Sequence, residues 1–234
     1  MGDGGCYTVP EMLLFAGGCW LWCITYAIII VRMRRYKFVD MPAIAGAGNF
    51  AWEFLWTFFF VTNMGWIVQW AYHGWFILDL YIVWYLFRYG HKQGWSPFFA
   101  KHYKVFFVIT SVTMGILFYN YTAQTGDLII GAITAYADNM LMSFLFIFML
   151  WRLTDVRGLS PWVAWTKMIG TGTNTVFMFL HYPEEQFLHS MGVLLWLADM
   201  TYIVMLHHRR RNQVSPPLSS REPVGMPEGA GAPV

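Results

Sequence analysis

The stretch that decides the fold is Ala43-Ile44-Ala45-Gly46-Ala47-Gly48-Asn49-Phe50-Ala51-Trp52-Glu53-Phe54-Leu55-Trp56-Thr57-Phe58-Phe59-Phe60-Val61-Thr62. As a helix it is about 30 Å long, the thickness of a bilayer's hydrocarbon core. Its single ionisable side chain, Glu53, falls near the middle. Asn49 and Glu53 are four apart, as are Trp52 and Trp56, so a helix gathers all four on one face. A carboxylic acid is thereby placed at membrane depth, framed by two indoles and a carboxamide.

Working outward, the rest of the chain is of the same kind. Of its 234 residues 57% are hydrophobic and only 12% charged, about half the charge of a soluble domain. Aromatic residues make up 20%, more apolar surface than a soluble core of this size would hide. The composition predicts an all-α polytopic membrane protein with no nucleic-acid partner. Seven apolar segments are long enough to span, roughly 12–31, 43–62, 66–87, 104–122, 128–151, 161–181 and 187–206. They define a seven-transmembrane-helix domain over 12–206, preceded by a short outer segment, 1–11. Residues 207–234 form the tail, basic over 207–211 and then Pro/Gly/Ser-rich over 212–234, where it is expected to be disordered. The longest connection, 88–103, is amphipathic and suits the membrane interface.

The basic residues set the orientation. With the N-terminus outside, every one of the 15 Lys and Arg falls on inner segments or, for Lys167, one to two turns into the sixth span from the inner side. The outer loops carry only Asp127, Glu184 and Glu185. The positive-inside rule therefore predicts N-out and C-in, with a cytosolic C-terminus. Cys19 and Cys23 are an i, i+4 pair in an apolar helix and read as packing residues. No metal-ligand spacing is visible, and His73, His181 and His189 are not read as ligands.

Four acids lie within spans: Glu53, Asp79, Asp138 and Asp199. Each costs at least about 2.5–3.5 kcal/mol to insert, so each needs a reason. Apart from Lys167 no basic residue stands at comparable depth, and four unpaired carboxylates would not all ionise there. A neutral buried carboxylic acid is a proton donor, which general-acid chemistry requires. Helical spacing supplies the neighbours. Asp199 shares a face with Leu195, Trp196 and Tyr202, and Asp79 with Tyr72 and Trp75. Asn174 lines up with Thr171, Met178 and His181. Convergence of these faces would line a cavity with indoles, phenols and carboxyls, an environment suited to a carbocation. The plainer reading is that Asn49, Asp79 and Asp138 are interhelical hydrogen bonders and the indoles packing.

The run Asn49-Phe50-Ala51-Trp52-Glu53-Phe54, together with Asp199 in Leu195-Trp196-Leu197-Ala198-Asp199-Met200, resembles the integral-membrane terpene cyclases. These are small seven-span enzymes of fungal meroterpenoid and indole-diterpene pathways, with bacterial relatives. The resemblance covers 12–206. It implies a cyclase that protonates an epoxide or terminal alkene of a prenylated hydrophobic substrate and steers polyene cyclisation without metal or organic cofactor. It makes Glu53 and Asp199 the catalytic acids, Glu53 as donor and Asp199 as its tuning partner or as terminal base. Asn49, Trp52, Trp56, Trp75, Asp79, Asp138, Asn174, Trp196 and Tyr202 are then the expected substrate-binding set. The membrane would be the endoplasmic reticulum in a fungus or the plasma membrane in a bacterium. Neither Asp-x-Asp-Asp nor Asp-Asp-x-x-Asp occurs, so no soluble-cyclase site is present.

Two other functions compete. A proton-coupled transporter or channel would also use intramembrane acids as a relay, although paired Pro or Gly breaks are lacking. A retinal protein would need a lysine in the last span, and 187–206 has none.

Overall fold

The computed structural model describes residues 7–214, and all regular structure within them is helical. Seven long helices follow one another: α1 (Val9–Tyr36), α2 (Ala43–Phe58), α3 (Trp66–Tyr89), α4 (Pro97–Thr125), α5 (Ala132–Arg152), α6 (Pro161–His181) and α7 (Gln186–Val214). Single 3-10 turns occupy Gly90–Lys92 and Asp127–Ile129. Short connections force consecutive helices to alternate in direction. The end of the bundle where α1 begins is called upper below, and the other end lower.

Packing closes a ring. Helix α1 contacts α6 and α3, α3 contacts α2, α2 contacts α5, α5 contacts α7, and α7 returns to α6, while α4 lies outside against α2. Four helices, α1, α4, α5 and α7, are long and apolar enough to cross a membrane. The other three fall short for identifiable reasons. Helix α2 has 16 residues, or about 24 Å. Helices α3 and α6 carry Gln69, His73 and Asp79, and Lys167 and Asn174, respectively. These shorter or more polar helices contribute much of the polar surface that the ring turns inward.

Local sequence explains the helix starts. Thr8 and Glu11 form a reciprocal capping box at the head of α1, with Pro10 in the first turn, satisfying donors that an unprotected helix end leaves bare. Helix α2 has no cap of its own. Gln93 supplies one from across the bundle: its carbonyl accepts from Ala43 N at 2.9 Å and its amide donates to Val39 O and Met41 O. The small residues Ala43 to Gly48 then let the lower half of α2 sink into the ring, where Ala45 and Ala47 are wholly buried.

Two sequence expectations are corrected. The 88–103 loop is much shorter, because α3 runs to Tyr89 and Pro97 starts α4 behind Ser96. The basic tail expected from 207 begins as helix, since α7 continues to Val214. There Arg209 caps the carbonyls of Leu150 and Leu153, and Arg210 donates to Leu159 O at 3.0 Å. These guanidiniums satisfy the C-terminal end of α5 and the turn after it. The rest of the expected tail lies outside the described residues.

Candidate active site

A cavity opens in the upper half of the ring, with about 720 Å³ of unfilled space when its open mouth is counted. One wall is the stripe Phe15, Trp22 and Tyr26 of α1, spaced seven and four residues apart. Facing it are Asn49, Trp52 and Glu53 of α2, with Tyr72 and Trp75 of α3 beside them. Tyr136, Asp138 and Asn139 of α5 and Thr171, Asn174 and Met178 of α6 complete the lining. Trp52 stacks against Trp56 and Tyr72 against Trp75, with ring centroids 6.0 and 5.6 Å apart.

Glu53 is 2% exposed, and its two oxygens have different surroundings. Oε1 accepts from Tyr26 Oη at 2.6 Å and from Asn49 Nδ2 at 3.1 Å, and Asn49 Nδ2 also donates to Tyr26 Oη at 2.6 Å. Oε2 has no hydrogen-bond partner among the described residues. The Asn49–Glu53 spacing therefore forms the one-face pair expected of it, and Tyr26 joins from another helix. Below them Asp79 is fully buried, with neither oxygen hydrogen-bonded among the described residues.

Asp138 reaches the cavity because α2 offers no side chain opposite it. A Cβ on Gly48 would stand 2.1 Å from Asp138 Oδ1, so only glycine admits the carboxyl there. Neither oxygen of Asp138 takes a hydrogen bond from a described residue, and Oδ1 is sealed from solvent. Asn174 packs into α1 by the same device, its Oδ1 lying 2.0 Å from where a Gly18 Cβ would be.

Asp199 is placed differently from its expectation. It is paired with Lys167, whose Nζ lies 2.8 and 2.9 Å from its two oxygens and 2.7 Å from Ser143 Oγ. Both partners are 2% exposed, and neither lines the cavity. The ammonium sits behind the Trp22 ring, 6.0 Å from its centroid. Lys167, the one basic residue expected near that depth, reaches Asp199 because its long side chain crosses from α6 to α7 inside the ring.

Four of the expected binding residues also lie off the cavity, Asp79 beneath it and Trp56, Trp196 and Tyr202 beyond its walls. Trp196 is 45% exposed and borders an outer groove with Gly172 and Gly192. The buried stripe of α7 runs Leu188, Met191, Leu195, Ala198, Tyr202, so it passes through Leu195 and turns the next residue outward. Tyr202 is buried lower down against Phe146, ring centroids 4.9 Å apart. Trp56 forms a layer behind Trp52. Sequence reasoning had passed over Trp22, Tyr26, Tyr136 and Asn139 as site residues. The α1 stripe was readable as a helical period, but α1 has no ionisable residue at that depth to draw attention to it.

The roof is a left-handed turn. Asp127, Leu128 and Ile129 have φ of 45°, 55° and 62°, a conformation that costs a non-glycine residue about 1–2 kcal/mol. The Asp127 carboxylate holds it by accepting from Ile133 N at 2.7 Å and from Thr134 Oγ1, while Tyr72 and Tyr182 donate to the carbonyls of Ile130 and Leu128. Burial pushes the Asp127 carboxyl up, and the Thr134 and Ile133 donors partly offset it. This turn is why α5 starts at Ala132 rather than near 128. Gly131, with φ of 72°, closes it and leaves room for the Trp52 and Trp56 indoles, the first donating Nε1–H to Gly131 O at 3.2 Å.

Chemically, the site offers an acid with one hydrogen-bonded and one free oxygen, a second unpartnered carboxyl, and walls of indole and phenol. Comparison with known proteins agrees with its character. The family model for Pyr4-like transmembrane terpene cyclases matches residues 7–212. Terpene cyclase ascF of Acremonium egyptiacum is 25% identical, the match covering 85% of this chain and 81% of that one. Pyr4-family terpene cyclase mfmH of Annulohypoxylon moriforme is 24% identical over 82% of each. Terpene cyclase macJ of Penicillium terrestre is 27% identical over 87% of this chain and 83% of its own. No solved structure matches significantly.

Proposed function

Because this chain belongs to the Pyr4-like transmembrane terpene cyclases, we propose that it is a membrane enzyme in which Glu53 protonates an epoxide or terminal alkene of a prenylated substrate and so starts a polyene cyclisation. The observation that carries this reading is the asymmetry of Glu53. Among the described residues its Oε1 takes two hydrogen bonds and its Oε2 takes none. A proton on Oε2 is held by no protein acceptor, while the donors on Oε1 stabilise the carboxylate left behind. Trp22, Trp52, Tyr72, Trp75 and Tyr136 then surround the cation with π-faces that do not trap it, each contact worth about 0.5–2 kcal/mol. Asn49 holds the acid, Asn174 and Asp138 face the substrate, and Asp199 acts from behind the wall by neutralising Lys167. The proposed acceptor carries its isoprenoid already attached to an aromatic or peptide-derived head group.

The bundle is proposed to cross the membrane seven times, N-out and C-in, with α2, α3 and α6 sheltered by the four more apolar helices. Tryptophans exposed at opposite ends support this placement, Trp66 and Trp70 above, Trp151 and Trp162 below, as in aromatic belts. The named relatives are fungal, which favours the endoplasmic reticulum.

The test uses membranes containing the full chain, given a farnesyl-substituted phenol or its terminal epoxide. Glu53→Gln keeps the size and the Tyr26 and Asn49 contacts but removes the acid, and cyclisation should fall by about 10²-fold or more. Cyclisation at the normal rate by Glu53→Gln refutes the reading. Conversion in detergent, where no gradient exists, separates an enzyme from a transporter.

A further inference from the structure

Of the four acids within the bundle only two line the cavity, Glu53 and Asp138. Asp79 lies beneath it, and Asp199 is committed to Lys167. A cascade begun by proton donation and ended as an alkene must give a proton back, and a base must stand where the final cation forms. We propose that Asp138 is that base, a second catalytic residue that ends the cyclisation by deprotonation. The proposal rests on the cyclase reading given above.

Three features support it. Asp138 is 2% exposed, lines the cavity and has no hydrogen-bonding partner among the described residues, so its basicity is not spent on a neighbour. It lies opposite Gly48, five residues before Glu53 on α2, hence about 7.5 Å lower along that helix. A base beside the acid would quench the first cation, whereas one set deeper lets the charge migrate before it is removed. Finally, only glycine at position 48 leaves room for this carboxyl, so α2 is shaped to keep it open to the cavity.

The step balances without a further reagent. The C–H bond next to the last cationic carbon breaks, its electron pair forms the new C=C bond, and the proton passes to the Asp138 carboxylate. After product leaves, Asp138 releases that proton to water entering the cavity, and Glu53 recovers one from the same water. The net reaction is an isomerisation.

The experiment compares Asp138→Asn, Glu53→Gln and the unaltered chain in membranes, on whichever of the two farnesyl phenol probes the unaltered chain converts. Both substrate loss and product identity are followed by mass spectrometry. Of the substrate that Asp138→Asn consumes, the share leaving as deprotonated product should fall about tenfold, replaced by water-quenched alcohols or isomeric alkenes. If Asp138→Asn does not accumulate, Gly48→Ala displaces the carboxyl without removing it and should shift products in the same direction. Unchanged products at an unchanged rate overturn the proposal, and so does a folded Asp138→Asn that consumes nothing. Failure of the cyclase reading looks different, since Glu53→Gln would then remain active.

Discussion

Tyr26→Phe tests the site with the smallest change. It deletes one oxygen, the donor 2.6 Å from Glu53 Oε1, and leaves Asn49 Nδ2 at 3.1 Å in place. In the resting enzyme the bond joins two neutral groups and is worth about 0.5–1.5 kcal/mol, whereas to the carboxylate formed on proton transfer it is worth about 1.5–3 kcal/mol. The loss specific to the transition state is therefore about 1–1.5 kcal/mol, or roughly a 5- to 15-fold fall in kcat. KM should hardly move, because the hydroxyl contributes to Glu53 rather than to the isoprenoid. The assay is steady-state cyclisation of the probe in detergent. A kcat within twofold of normal, or a change confined to KM, refutes the claim that Tyr26 stabilises the conjugate base of Glu53.

Two further substitutions read the lower layer. Lys167→Met leaves Asp199 buried without its partner and should cost about 3–5 kcal/mol of stability, most of it recovered in Lys167→Met/Asp199→Leu; thermal unfolding in detergent measures both, and a single-variant cost under about 1 kcal/mol would refute the pairing. At the lower end, burial pushes Asp40 up to about 7, against the Ser160 N–H it accepts and the nearby Arg32 and Arg210. Its folded state thus holds a proton that the unfolded chain loses near pH 4, so stability should fall as pH rises from about 4 to about 7 and then level off. Asp40→Asn keeps an acceptor for Ser160 and should flatten that slope; an unchanged slope refutes the assignment.

How much of this was legible in the sequence follows from what periodicity can see. The all-helical architecture, the seven long helices and the Asn49–Glu53 face came from spacing within single segments, where one helix fixes the geometry. Span limits were less readable, because hydropathy does not register Gln93 capping α2 from a distant turn or the Asp127 turn delaying α5. The other misplacements arose between helices. Trp196 and Leu195 are adjacent in sequence, and only the rotation of α7 in the ring decides which one turns inward. Lys167 and Asp199 are on different helices, and a lysine's reach across a bundle cannot be read from either segment alone. Tyr26 was missed because a phenol in an apolar run resembles packing until the carboxyl it serves is known.

The Lys167–Asp199 pair acquires a reason once the cavity is considered as a place for a cation. An ammonium about 8 Å from a carbocation would cost roughly 2 kcal/mol at an effective dielectric constant of about 20. That alone would offset one or two of the aromatic contacts stabilising the intermediate, each worth about 0.5–2 kcal/mol. Asp199 cancels this field at its source, taking both carboxylate oxygens to within 2.9 Å of Nζ. Trp22 meanwhile lines the cavity, while neither member of the ion pair does. On this account an acid outside the cavity is as necessary to cyclisation as one inside it, but through charge rather than contact. Removing Asp199 alone should therefore slow the reaction more than removing Lys167 and Asp199 together, an ordering that direct proton transfer by Asp199 would not produce.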